Sequence, residues 1–140
     1  MSVVKGLRMC NLNEWIVREA FRAYERGDIA RMMDYVDPEL EWTHFEPGVE
    51  DPQPQTCRGR EELEKALRLQ AGRNLRSELE QVIANGEKVI LVMRTPGISR
   101  YRPWHDNDRT YNVLTLRDEL IIGLQACCDR SEARSLAGIV

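Results

Sequence analysis

Asn85-Gly86 is the pair that most restricts the fold of this chain. Between two β-rich runs, Asn-Gly accepts the positive backbone angles of a tight turn at little steric cost, so it marks a hairpin. The spacing predicts one strand over Asn74–Asn85 and a second over Lys88–Thr95, the latter carrying Val89, Ile90, Leu91, Val92 and Met93. A second hairpin is expected from Arg109–Arg117 and Leu120–Cys128 around Asp118-Glu119. Hairpins of this kind are stable only when one face is covered by an apolar layer. The cover must come from the N-terminal half, where apolar residues recur at helical spacing.

A first helix is expected over Asn13–Arg26, capped by Asn11 or Asn13, with Ile16, Ala20, Phe21 and Tyr24 as its buried stripe. Gly27 suits the left-handed residue that ends a helix. Asp28 then caps a second helix, Asp28–Val36, with Ile29, Met32, Met33 and Val36 apolar. Asp37-Pro38 stops it, because a residue before proline avoids the helical region. Arg60 to about Gln70 reads as a third helix, with Leu63, Ala66 and Leu67 on one side, and Ser131–Ala137 as a short terminal one. Helices first and hairpins last is an α+β order, not an alternating β-α-β one. A length of 140 residues suits one domain with a genuine core.

The strand Glu39–Phe45 follows the second helix directly. Alternation puts Leu40, Trp42 and His44 on one face and Glu41, Thr43 and Phe45 on the other. A histidine and a tryptophan then share the face that the helices cover. An imidazole ordinarily titrates near pH 6.5, and an apolar pocket favours its neutral, proton-accepting form. The other reading of His44 is a structural one, bonded to backbone or to a carboxylate such as Glu46. Glu46–Pro54 holds three prolines and reads as a loop without core residues. Arg100–Asp108 gathers Arg102, Trp104, His105 and Asp106 in a second loop, suited to a lid or a dimer contact.

Basic and acidic residues are interspersed and the net charge is −3, so no basic field points to nucleic acid or to an anionic membrane. No stretch nears the roughly 18 apolar residues that cross a bilayer. The first eleven residues lack the apolar run of a signal peptide, and a cytoplasmic location is expected. Cys10, Cys57, Cys127 and Cys128 then read as free thiols. Four scattered cysteines and two histidines lack the spacing of a metal site, and none is expected. Cys128 shares the parity of Leu124 and Ala126 and reads as packing on the pocket side.

Four segments together resemble a known family. They are the two helices joined by Gly27-Asp28 and running into Asp37-Pro38-Glu39-Leu40-Glu41-Trp42; Cys57-Arg58-Gly59-Arg60-Glu61-Glu62-Leu63; Asn85-Gly86-Glu87-Lys88-Val89; and Leu114-Thr115-Leu116-Arg117-Asp118-Glu119-Leu120-Ile121. Their order and spacing are similar to those of the SnoaL-like polyketide cyclases, in the nuclear-transport-factor-2-like superfamily that also holds ketosteroid isomerases and limonene epoxide hydrolases. The resemblance spans about residues 13–138 of a single domain, 1–140. It implies a cone-shaped, strongly curved mixed or antiparallel sheet wrapped around three helices, a cystatin-like α+β barrel with a pocket at one end.

The resemblance also places residues. The general base of the isomerases falls on His44, the acid that bonds the enolate oxygen on Asn112, and the tyrosine of the first helix on Ala20. This chain therefore departs from the isomerase pattern at all three positions, and it shows no Asp-Arg-Asp set of the epoxide hydrolases. His44 and Asn112 are the expected catalytic pair, for isomerisation, cyclisation or hydration. Ile16, Ala20, Tyr24, Trp42, Leu91, Met93, Trp104, Leu114 and Leu124 are the expected contacts to a small apolar, oxygenated molecule. Such proton-transfer chemistry needs no cofactor. A homodimer through the sheet is implied, with a non-catalytic binding or dimerisation module as the alternative function.

Overall fold

The computed structural model describes residues 5–45, 54–72, 77–96 and 108–139. The described elements are α1 (Lys5–Glu25), α2 (Ile29–Met33), β1 (Val36–Phe45), β2 (Pro54–Arg58), α3 (Arg60–Gly72), β3 (Glu78–Asn85), β4 (Lys88–Arg94), β5 (Arg109–Arg117), β6 (Leu120–Cys127) and α4 (Arg130–Leu136). This is the expected α+β order. The six strands form one curved sheet in the order β2-β1-β6-β5-β4-β3, antiparallel except for the parallel β1–β6 pair. β2 and β3 are unpaired edges among the described strands, so the sheet wraps the helices without closing into the implied barrel.

Both hairpins form where they were expected. Asn85 pairs with Lys88, and Gly86 takes φ +62° as the first of the two turn residues. The side chain of Asn85 serves elsewhere: its Nδ2 donates to the carbonyl of Ala137 at 2.7 Å and so ties the hairpin to the end of α4. At the second turn, Asp118 and Glu119 both have positive φ (51° and 67°). β3 is Glu78–Asn85, preceded by Ser77 outside the strand; the expected start at Asn74 lies outside the described residues.

Three differences from the sequence reading bear on the site. α1 begins at Lys5, so neither Asn11 nor Asn13 caps it. Asn13 instead donates from Nδ2 to the carbonyl of Gly86 at 2.9 Å, joining α1 to the first hairpin. α2 ends at Met33, and Val36 belongs to β1, where it pairs with Ile121. The sheet tolerates Asp37-Pro38 there because the β1–β6 register shifts between Val36 and Glu41, and a bulge needs no ladder N–H. Asp37 Oδ1 accepts from Glu39 N at 2.8 Å within that bulge. Third, Pro54, read as the end of the 46–54 loop, begins an edge strand, Pro54–Arg58, in which Trp42 pairs with Cys57 and His44 with Gln55; the rest of that loop lies outside the described residues.

α1, α2 and α3 pack on the concave side of the sheet. Val17, Ala20 and Phe21 of α1, Leu63 of α3, and Leu40, Trp42, Val82, Leu91 and Leu114 of the strands form one core. A smaller cluster lies on the opposite side, where Ala133 and Ala137 of the α4 region cover Ile90, Val92, Val113 and Cys127. Residues 89–92 are therefore buried on both faces, which is why that run reads as continuously apolar.

Candidate functional site

A cavity of about 450 Å³ lies between the helices and the concave face of the sheet. That volume is in the range of small-molecule sites. Its walls follow from the register. On β5 the inward residues are Leu114, Asn112 and Thr110, opposite Val89, Leu91 and Met93 of β4. Leu114 pairs with Leu124, and Asn112 with Ala126, on β6. Trp42 of β1 pairs with Leu124 in parallel and Thr43 with Gln125; extending that register by one residue sets His44 at the level of Ala126. All of these but Val89 line the cavity. Val17, Ala20, Phe21 and Tyr24 of α1 and Leu63, Ala66 and Leu67 of α3 close its other side.

Polarity is graded along the strands. Trp42, Leu124 and Leu114 make an apolar level. The next level holds His44 and Asn112, with the small Ala126 between them. Two strand spacings of ~4.8 Å put about 10 Å between the backbones of His44 and Asn112. The two side chains face a shared space in which a ligand oxygen can sit between them. Beyond that level come Thr110, then Thr95 and Ser77, whose hydroxyls bond each other at 2.7 Å. Tyr24 Oη accepts from Ser77 N at 3.4 Å. The described lining contains no Asp, Glu, Lys or Arg.

His44 is held on two sides. Its ring stacks on Trp42, with centroids 4.6 Å apart and planes 26° from parallel. Its Nε2 lies 3.6 Å from Cys57 Sγ, and the tautomer decides which atom donates. This partner escaped the sequence reading because β2 did; Glu46, the carboxylate considered there, lies outside the described residues. Two buried polar atoms of the lining have no hydrogen-bond partner among the described residues, Trp42 Nε1 and Thr110 Oγ1. Leaving such a group unsatisfied costs about 1–3 kcal/mol.

Ala20, Tyr24, Trp42, His44, Leu91, Met93, Asn112, Leu114 and Leu124 thus share one cavity. Ile16 does not. It is 2% exposed within the core but lies outside the lining, and its neighbour Val17 takes the wall position. Helical spacing alone could not separate the two, since a 100° turn per residue leaves both on the covered side. Trp104 lies outside the described residues. Cys128 lies one residue beyond β6, exposed and away from the cavity, because the strand ends at Cys127. Thr110, Thr95, Ser77 and Gln55 are lining residues that sequence reasoning missed. Thr110 follows from the parity of Asn112 and Leu114, but a threonine in a strand gives no signal of its own.

No group of three potential metal ligands occurs among the described residues. No described helix is long and apolar enough to cross a membrane.

The sequence model of the SnoaL-like domain matches residues 17–124. The chain belongs to the SnoaL-like family. None of the curated proteins matches it. Among solved structures it is similar to Bal32a from a soil-derived mobile gene cassette, with 18% identity and a TM-score of 0.66 over 85% of this chain and 90% of that one. A nuclear-transport-factor-2-like protein from Burkholderia thailandensis has 23% identity and a TM-score of 0.65, over 91% and 98% of the two chains. A protein from Kribbella flavida, provisionally assigned as a ketosteroid isomerase, has 10% identity and a TM-score of 0.62, over 84% and 77%. At these identities the likeness shows the shared fold. The SnoaL-like match spans every strand that builds the cavity except the last residues of β6.

Proposed function

We propose that this SnoaL-like protein binds a neutral, largely apolar, oxygenated small molecule in the cavity and exchanges a proton with it through His44. Asn112 donates an N–H to the ligand oxygen, a task worth ~3 kcal/mol in good geometry. The observation that carries this reading is the level formed by His44, Ala126 and Asn112: a titratable group and an amide donor face one space, in a described lining without charged side chains. An enolising ketone is the simplest partner for that pair. His44 takes a proton from the carbon beside the carbonyl while Asn112 bonds the developing enolate oxygen, and return of the proton to the same or another carbon completes exchange or isomerisation. No cofactor enters these steps.

The test is deuterium exchange into the methyl group of 2-acetylnaphthalene in D₂O, followed by NMR. Wild-type protein is expected to accelerate exchange, and His44→Gln to reduce the acceleration by 10²-fold or more, the usual worth of a general base. Equal exchange in both proteins would remove His44 from the chemistry.

One observation favours a second reading, a ligand-binding module without catalysis. The Nε2 of His44 already has Cys57 beside it, as in a histidine that only supports the wall. On that reading the ketone binds wild type and His44→Gln with similar affinity and exchanges in neither. Under both readings the protein is a cytoplasmic homodimer joined through the outer face of the sheet, where Glu41, Thr43 and Gln125 border a shallow depression. Light scattering at micromolar concentration is expected to give twice the 16.2 kDa chain mass; a monomer mass contradicts it.

A further inference from the structure

We infer that Gln55 is a specificity-determining residue of this site and that the ligand is an α-hydroxy ketone. Its carbonyl oxygen meets Asn112, its acidic carbon meets His44 and its hydroxyl meets Gln55. The inference deepens the proposed function and rests on its claim that a ketone sits between His44 and Asn112.

Strand register sets the three side chains in one row. Gln55 of β2 pairs with His44 of β1, and Ala126 of β6 pairs with Asn112 of β5. Extending the Trp42–Leu124 and Thr43–Gln125 pairs by one residue joins the two halves at His44 and Ala126. Across the sheet the row therefore reads Gln55, His44, Ala126, Asn112 and then Leu91, which pairs with Asn112. All of them line the cavity. None of the polar members is sealed in the protein: Gln55 is exposed, and His44 and Asn112 are part-exposed.

The two amides are open to a ligand. Among the described residues, neither the Gln55 nor the Asn112 side chain has a hydrogen-bond partner. Other polar groups of the lining are engaged: Ser77 and Thr95 bond each other at 2.7 Å, and Tyr24 accepts from the Ser77 backbone. A glutamine on an exposed edge strand is ordinarily only solvated. Gln55 differs because its cross-strand pairing sets it on the concave face, directly opposite the proposed base.

The order of the row dictates the order of groups in the ligand. With the carbonyl oxygen at Asn112 and the C–H at His44, a substituent on that carbon continues toward β2 and meets the Gln55 amide. An apolar substituent there strips water from the amide and returns no hydrogen bond. A hydroxyl accepts from Nε2 of Gln55 or donates to its Oε1. Three strand spacings put about 14 Å between the backbones of Gln55 and Asn112. Two inward side chains, two hydrogen bonds of ~2.9 Å and the oxygens of one α-hydroxy ketone bridge that span. The apolar body of the ligand then lies against the level of Trp42, Leu124 and Leu114.

The chemistry balances between ligand and imidazole. His44 takes the proton from the carbon that bears the hydroxyl. The C–H electron pair forms the carbon–carbon double bond of an enediolate, and the former carbonyl oxygen takes the charge beside Asn112. Return of the proton to the same carbon gives exchange. Return to the former carbonyl carbon, with the hydroxyl proton passing to the other oxygen, gives the isomeric α-hydroxy aldehyde.

Two naphthyl ketones of equal size test this: 2-(hydroxyacetyl)naphthalene and 2-propionylnaphthalene, which carries a methyl group where the first carries its hydroxyl. Their Kd values are measured by calorimetry on wild type and on Gln55→Met, which keeps the length of the side chain and removes the amide. Wild type is expected to bind the hydroxy ketone about fivefold or more tightly than the propionyl ketone, the worth of one hydrogen bond. In Gln55→Met that ratio is expected to fall to about one. Gln55→Val, well suited to a strand, repeats the measurement if the methionine variant does not fold. Equal affinity of the two ketones for wild type, or a preference that survives in the variant, overturns the inference and leaves the binding reading intact. Failure of both ketones to bind wild type overturns both.

Discussion

At the scale of single residues, His44 is defined by two neighbours of different origin. Trp42 stacks on it from two positions earlier in the same strand. Alternation makes that pairing visible in sequence, since residues two apart in a strand share a face. Cys57 reaches the same ring from thirteen positions away, through the pairing of β2 with β1. No local pattern announces such a contact. A second cysteine gives a direct prediction. Burial, aided by Glu132, pushes the Cys127 thiol up to about 12, from an ordinary value of 9.0. Between those values the unfolded chain has lost this proton and the folded chain retains it. The contribution is complete below pH 9 and is lost as pH rises toward 12. Denaturant titrations across that window should show falling stability, with a shallower fall in Cys127→Ala. Parallel curves would show that the thiol is not the cause.

At the scale of elements, the hairpins were legible because turn chemistry is local. Asn85-Gly86 named the first turn, although Gly86-Glu87 form its centre and the Asn85 side chain holds α4. Asp118-Glu119 named the second, at a cost. Both residues hold positive φ without being glycine, and left-handed backbone is strained for L-residues. The double substitution Asp118→Asn with Glu119→Gly should therefore stabilise the protein by ~1 kcal/mol. A thermal melt should rise by roughly 3 °C for a domain of this size; an unchanged or lower Tm would mean that the turn is not strained. β2 was not legible, because Pro52 and Pro54 mark a loop in sequence, and Pro54 is tolerated as the first residue of an edge strand that only the sheet reveals. The end of α2 was misplaced for a related reason: Val36 fits a helical stripe, and its partner Ile121 lies on the last strand.

At the scale of the whole molecule, the fold followed from the order of elements and from the resemblance to SnoaL-like proteins. The location of the cavity followed with it. Its polarity did not, because Thr110, Ser77 and Thr95 gather only through the β3–β4–β5 register. Ala126 shows the same dependence. Alone it is an ordinary alanine in a strand; in the sheet it is the small residue that keeps His44 and Asn112 apart yet open to one space. Ala126→Leu should fill that space. The expected outcome is a Tm within a few degrees of wild type and at least a tenfold loss of affinity for 2-acetylnaphthalene. Unchanged affinity would place the ligand elsewhere. The central claim is that His44 and Asn112 meet one ligand in this cavity. Two-dimensional NMR during titration with 2-acetylnaphthalene tests it most directly. The His44 ring and the Asn112 side-chain amide are expected to shift together with a single Kd, while outer-face residues such as Gln125 stay unmoved. Shifts confined to the outer face, or absent from both His44 and Asn112, would contradict it.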